Sequence, residues 1–138
     1  MIVYTDTVDD IDASQLTGFF VNWGWPAHPT PETHLWLLQN SAEVVLAIDD
    51  ETTQIVGYIT AISDGVLSAY IPLLEVLQPY QGRNIGSDLV RRMLDKLQHV
   101  YMIDLLCDAG VQPFYERLGM QPAAGMLIRN YNQQTGTG

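Results

Sequence analysis

Apolar positions along the chain follow two rhythms. Ile2–Tyr4 reads as a short first strand, and Glu43–Ile48, Gln54–Ser63 and Tyr101–Cys107 are apolar runs of strand length bounded by polar turns. Val66–Leu77 is a fourth such run, and Pro72 inside it points to a sheet edge or a distortion there. Met126–Tyr131 is predicted as a last strand. Between these runs the spacing turns helical. Leu16, Phe19 and Phe20 predict a helix over Ala13–Asn22, preceded by Asp9, Asp10 and Asp12, whose charge suits a helix start. Thr30 followed by Pro31 reads as N-cap and first helical position of a short helix through Leu35, Trp36 and Leu38. From Gly86 the residues Val90, Met93, Leu94 and Leu97 recur at i, i+3, i+4, i+7, and Gln112–Leu118 is a short helix stopped by Gly119. The predicted order is β-α-α-β-β-β-α-β-α-β, an α/β fold with a mixed sheet and helices on both faces.

The 138 residues suit one domain, placed at 1–131, with 132–138 as a flexible tail. An apolar share of 47% supplies a core and excludes disorder as the main state. The single cysteine, Cys107, permits neither an internal disulfide nor a Cys-rich zinc site, and a reducing cytoplasm is the expected compartment. No metal is expected. The start shows no basic segment leading into an apolar run, and no stretch is long enough to span a bilayer. The net charge of −10 argues against nucleic acid or an anionic membrane as partner. That charge is uneven. Residues 1–82 carry eleven acidic and no basic side chains, whereas all six basic ones (Arg83, Arg91, Arg92, Lys96, Arg117, Arg129) follow Gly82. The asymmetry serves solubility, or it marks an anion site in the second half and a cationic ligand facing the first.

Val76–Leu89 (VLQPYQGRNIGSDL) carries the most chemical information. A strand leads through a glycine-bearing loop straight into an amphipathic helix. The free N–H groups of such a loop and of the first helical turn can face phosphate oxygens, unless the segment is a plain strand-to-helix turn. Neither G-x-x-x-x-G-K-[ST] nor G-x-G-x-x-G is present. YQGRNIGSDLV resembles instead the pyrophosphate loop, Q/R-x-x-G-x-G/A, of the GNAT superfamily of acyl-CoA N-acyltransferases. Gln81 and Gly86 match its ends, and Asn84 stands at the middle glycine. PFYERLGM, Pro113–Met120, is similar to the late helix motif of the same family, in the same order and spacing.

The resemblance implies a mostly antiparallel GNAT-like sheet and an N-acetyltransferase that uses acetyl-CoA as co-substrate. It places the pantetheine against the backbone of Leu74 and Val76, with the Leu74 N–H near the thioester carbonyl. Gln81, Gly82, Arg83, Asn84, Ile85, Gly86 and Ser87 would hold the pyrophosphate, and Asp108 would stand near the cofactor. Tyr115 aligns with the tyrosine that donates to the leaving thiolate. Glu75, a carboxylate in an apolar strand, is the candidate base, since burial would raise its pKa. Asp64 is the runner-up for amine binding, and His28 and His34 are possible relays. Phe19, Phe20, Trp23, Trp25 and Trp36 are either core or an aromatic wall for a small, cationic primary amine. A homodimer is compatible with this reading. The alternatives are a non-catalytic acyl-CoA-binding or partner-binding module, favoured by Asn84, and a protein N-acetyltransferase.

Overall fold

The structure, a computed structural model, describes residues 1–137. Five strands, β1 (Ile2–Thr5), β2 (Glu43–Asp49), β3 (Ile55–Ser63), β4 (Ser68–Val76) and β5 (Met102–Asp104), form one sheet in the order β1-β2-β3-β4-β5. The first four pair antiparallel and β5 joins β4 in parallel. Helix α1 (Pro31–Gln39) covers one face, and α2 (Ile85–Lys96) covers the other, with α3 (Gln112–Glu116) beside it.

Side-chain alternation sorts the core between the faces. Val45, Ile59, Leu89, Val90 and Met93 pack under α2, while Leu46, Tyr58, Leu38, Leu16 and Phe20 pack under α1. Gly57 lets α2 sit close: a β-carbon there would lie 3.1 Å from Leu89 Cδ1. Asp12 and Gln15 form a reciprocal capping box, but the predicted helix over Ala13–Asn22 is one 3₁₀ turn, Ala13–Leu16. Extended Thr17 ends it, and Gly18 at φ +95° and Phe20 at φ +71° keep the chain from resuming a right-handed helix. Leu16, Phe19 and Phe20 are buried all the same. Thr30 caps α1 as predicted, accepting from the Thr33 N–H at 3.2 Å with Pro31 next in line.

Two further expectations are corrected. Val66 and Leu67 lie in the turn before β4, where Asp64 Oδ1 accepts both their N–H groups at 2.8 Å. The last strand is absent among the described residues. Gln121–Asn130 is exposed throughout, and no backbone group from Gln121 to Arg129 joins another backbone group. The chain then makes a 3₁₀ turn at Tyr131–Gln133, and Gly136 comes beside Thr33 of α1. Of the tail expected at 132–138, Gly138 lies outside the described residues.

One irregularity shapes everything near the site. Ile62 pairs with Tyr70 and Thr60 with Leu73, so Ala61 alone stands opposite Ile71 and Pro72. This is a β-bulge carried by β4, and Pro72 sits in it, as the sequence suggested. Just before it, Tyr70 makes the last pairing with β5, opposite Asp104. Beyond that point β4 runs on to Val76 while the other strand ends, and the sheet forks.

Candidate active site

The fork exposes backbone groups of β4. Leu77 donates its N–H to Val56 O at 2.9 Å, which makes that pair a hydrogen-bonded one. Bonded and non-bonded pairs alternate along an antiparallel ladder. In the register Val76 opposite Gly57 and Leu74 opposite Ile59, the N–H groups of Val76 and Leu74 therefore turn away from β3, into the fork. The Val76 carbonyl turns the same way and accepts from the Gln81 side chain at 2.9 Å.

The fork ends at the start of α2. Gly82 lies at φ +80° with open space around its missing β-carbon, and Asn84 takes the left-handed conformation at φ +63° that asparagine tolerates. Asn84 is the N-cap of α2 but caps it with no side-chain bond, so first-turn N–H groups stay free. Gln81, Gly82, Arg83 and Asn84 are exposed, Gly86 and Ser87 are half-buried, and Ile85 is buried in the core. Phe114 of α3 packs over Gly86, with Cζ 3.6 Å from where a β-carbon would stand. Arg83 lies over the Tyr80 ring at 5.2 Å, and Tyr80 donates to Asp49 at 2.6 Å. Of the basic side chains, Arg83 alone belongs to this loop. Arg91 pairs with Asp88, Arg92 stacks on Tyr4 at 4.2 Å, and Lys96 bridges Asp6 and Glu43 at 2.8 and 3.1 Å. Much of the charge asymmetry thus closes on itself along α2. Exposed Asp108 precedes the 3₁₀ turn Ala109–Val111.

Tyr115 and Glu75 stand on opposite faces. Tyr115, on α3, packs against the α2-side core and lines a cavity of about 510 Å³ with Tyr70, Asp104 and Cys107. Burial, with Cys107 adding to it, pushes its phenol up to about 12. Glu75 is the cross-strand partner of Tyr58, so both side chains point toward α1. It accepts the Phe20 N–H at 2.9 Å, the bond that holds Phe20 in its left-handed conformation. Burial raises the Glu75 carboxyl above the usual range, against the pull of the Phe20 amide, Trp23 and His28.

Behind Glu75 lies an aromatic nest. His34 stacks edge-on with Phe19, Phe20 and Tyr58, its ring 4.4 Å from that of Tyr58. Both His34 nitrogens, the Tyr58 hydroxyl and the Thr60 hydroxyl are buried with no hydrogen-bond partner. Burial pulls His34 down to about 4 and drives Tyr58 well above its usual value. On the same side of the sheet a cavity of about 1070 Å³ is lined by Phe20, Trp25, Thr60, Leu73 and Arg129 among others; Glu75 meets it through its partner Phe20 and not directly, and among the described residues Arg129 is the one charged side chain on its wall. Trp36 is largely exposed, and His28 is tied to Pro29 O at 2.9 Å. Asp64 is spent on its turn, with a carboxyl held far below the usual range by the N–H groups of Val66, Leu67 and Ser68. Among the described residues no cluster of His, Cys, Asp and Glu is placed to hold a metal, and no helix is long and apolar enough to cross a membrane.

The sequence model of the Acetyltransferase (GNAT) family matches residues 7–120. The chain belongs to this family. A crystal structure of a Deinococcus radiodurans R1 protein classed as an acetyltransferase superposes on this GNAT chain with a TM-score of 0.92. The two are 45% identical over 97% of this chain and 92% of that one. A GNAT family acetyltransferase from Streptococcus pneumoniae TIGR4 is 25% identical over 94% of this chain and 98% of its own, with a TM-score of 0.75. An uncharacterized N-acetyltransferase, ycf52 of Porphyra purpurea, is 24% identical over 85% of this chain and 69% of its own. This GNAT member is accordingly an acetyltransferase, with the mostly antiparallel sheet of its family. Sequence reading did not single out Tyr58 and Thr60 as buried polar groups, or Arg129 as a cavity residue. Polar side chains inside the apolar run Ile55–Ile62 were the available signal for the first two.

Proposed function

We propose that this acetyltransferase moves the acetyl group of acetyl-CoA onto the primary amine of a small acceptor with an apolar body. The observation that carries the reading is the fork. It offers two backbone N–H groups, Leu74 and Val76, and runs into a glycine-bearing loop and a free helix start. Those features fit the linear amides and the pyrophosphate of coenzyme A. Gln81, Gly82, Arg83, Asn84, Ile85, Gly86 and Ser87 form the phosphate cradle, in which the Gln81 side chain leaves Val76 O when pantetheine arrives. Asp108 flanks the same groove.

The acceptor enters the larger cavity as an ammonium. Glu75 takes its proton, the nitrogen attacks the thioester carbon, and the C–S bond breaks as C–N forms. The Leu74 N–H donates to the oxygen on which charge develops. Tyr115 donates a hydrogen bond to the departing sulfur from the other face. A phenol near 12 lies about 3.5 units above a free thiol, so full transfer of its proton is uphill by about 5 kcal/mol. Tyr115 thus steadies the thiolate; the acylated nitrogen sheds its remaining extra proton to solvent, and the thiolate takes its proton from solvent. The apolar cavity wall suits arylalkylamines better than polyamines, while the net charge of −10 draws cations in general.

Free-thiol release from acetyl-CoA across a matched panel of arylalkylamines, polyamines and amino acids tests the acceptor. Arylalkylamines should lead. A lead by amino acids would reverse the charge reading and assign Arg129 to their carboxylate. Thermal shift by coenzyme A tests the cradle separately. Gly86→Glu, which sets bulk and negative charge at the helix start, should abolish the shift; an unchanged shift would move the cofactor elsewhere.

A further inference from the structure

We propose that the Gln81 side chain is a latch on the donor groove, which ties recognition of a pantetheine arm to recognition of a pyrophosphate. The site would then take free acyl-CoA in preference to acyl groups carried on pantetheine alone. This inference rests on the reading of the fork as the coenzyme A groove and adds to it a donor preference set by one residue.

The latch follows from where the fork leaves β4. Val76 stands opposite Gly57 in a non-bonded pair, so its N–H and its carbonyl both turn away from β3. The pairing with β5 has already ended at Asp104, and among the described residues no strand meets Val76 on that side. A backbone carbonyl left in this way takes another donor or water. The turn after β4 supplies the donor. Tyr80 N–H donates to Leu77 O at 2.9 Å and Gln81 N–H to Gln78 O at 3.2 Å, which folds the chain back over the end of the strand. The Gln81 side chain then reaches five residues back, and its Nε2 donates to Val76 O at 2.9 Å.

The same residue opens the glycine-bearing loop. Gln81, Gly82, Arg83 and Asn84 are all exposed, and Gly82 at φ +80° leaves open space where a β-carbon would stand. The Gln81 amide therefore serves two acceptors, Val76 O inside the groove and a phosphate oxygen on the loop. Of the two, the charged acceptor makes the stronger bond. Without a phosphate the amide stays on Val76 O, and a pantetheine N–H has to displace it. With a pyrophosphate on the loop the amide turns to the phosphate, and Val76 O is released. Val76 N–H is unobstructed in both cases, so the carbonyl alone is contested. One hydrogen bond of ordinary net strength, lost without replacement, weakens pantetheine about 2–10-fold. Linkage makes the effect reciprocal, so that pantetheine tightens the diphosphate by the same factor.

NMR chemical-shift titration of the full chain tests the latch, with pantetheine, adenosine diphosphate and coenzyme A as probes. Gln81→Met keeps the side-chain length and removes both amide protons, at an exposed position. In wild type, adenosine diphosphate alone should move the Gln81 side-chain amide and the Val76 carbonyl resonances, and should tighten pantetheine about 2–10-fold. In Gln81→Met, pantetheine alone should bind tighter than to wild type by that factor, and adenosine diphosphate should no longer help it. Pantetheine bound equally or more weakly by Gln81→Met would overturn the latch, as would an unaltered gain from adenosine diphosphate, while coenzyme A still moved the Leu74 and Val76 amides. Coenzyme A that left those two amides unmoved would overturn the groove reading itself, and the latch with it.

Discussion

Glu75 carries two jobs that one substitution pair can separate. As a base it needs its charge. As an anchor for left-handed Phe20 it needs only an acceptor oxygen, 2.9 Å from the Phe20 N–H. Glu75→Gln keeps the oxygen and removes the charge; Glu75→Ala removes both. A hydrogen bond to a charged group contributes about 1.5–3 kcal/mol, which at roughly 3–5 °C per kcal/mol for a chain of this size is a fall of about 5–15 °C in Tm for the alanine variant. Glutamine should hold Tm near wild type or above it. Burial raises the Glu75 carboxyl in the folded state. A raised carboxyl stabilises the fold below its unfolded pKa and loses that contribution as pH rises through the folded one. The advantage of glutamine should therefore appear on the alkaline side of that raised value. In the thiol-release assay kcat/KM should fall about 10²–10⁴-fold in both variants, as for a lost base. In wild type kcat/KM should rise with pH through the same raised pKa. Glutamine with near-normal turnover would refute the base role and leave Glu75 an anchor. Glutamine as unstable as alanine would refute the anchor.

Two further outcomes are expected. Tyr115→Phe should lower kcat about 10²-fold with little change in the thermal shift by coenzyme A, and without a new acidic or alkaline limb, because the phenol near 12 keeps its proton throughout. His34 is neutral in the fold, with a pKa near 4 caused by burial, against about 6.5 unfolded. Its contribution is complete above pH 6.5 and is lost as pH falls toward 4, about 3 kcal/mol in all. Tm measured across that window should fall less steeply in His34→Phe, and an unchanged slope would place the acid sensitivity elsewhere.

Local chemistry was the legible part of this chain. Thr30-Pro31, the apolar runs of β2, β3 and β4, the helix after Gly86 and the Asn84 loop all follow from interactions within a few residues, and the fold contains each of them. The predicted helix over Ala13–Asn22 misled because Leu16, Phe19 and Phe20 reach the core through Gly18 and Phe20 at positive φ, with Phe20 bonded to Glu75, 55 residues away. Nothing in its own spacing announces that contact. The strand pattern at Met126–Tyr131 is genuine as a pattern, but pairing is a property of two strands, and one sequence states only half of it. Arg91, Arg92 and Lys96 were likewise visible as charges while their partners, Asp88, Tyr4, Asp6 and Glu43, were fixed only by the fold.

The extra residue in β4 acts as a phase switch. Upstream of it Ala69 and Ile71, odd-numbered, belong to the α2-side core; downstream that face belongs to even-numbered Leu74 and Val76. Counting parity along the strand thus changes sign at Ile71–Pro72. A one-residue deletion there would restore a continuous ladder with β3 and carry β4 on alongside β5. Glu75 and Leu74 would keep their faces, since plain alternation from the remaining residue through Leu73 still sets Leu74 under α2 and Glu75 toward α1. A lone insertion between the bulge and Glu75 would instead invert them, and a second inserted residue would return them. The stretch is therefore asymmetric toward length change: loss of the bulged residue spares the faces, whereas a single gain sends the carboxylate under α2, a constraint on natural variation and on loop grafting alike that no single-residue substitution would reveal.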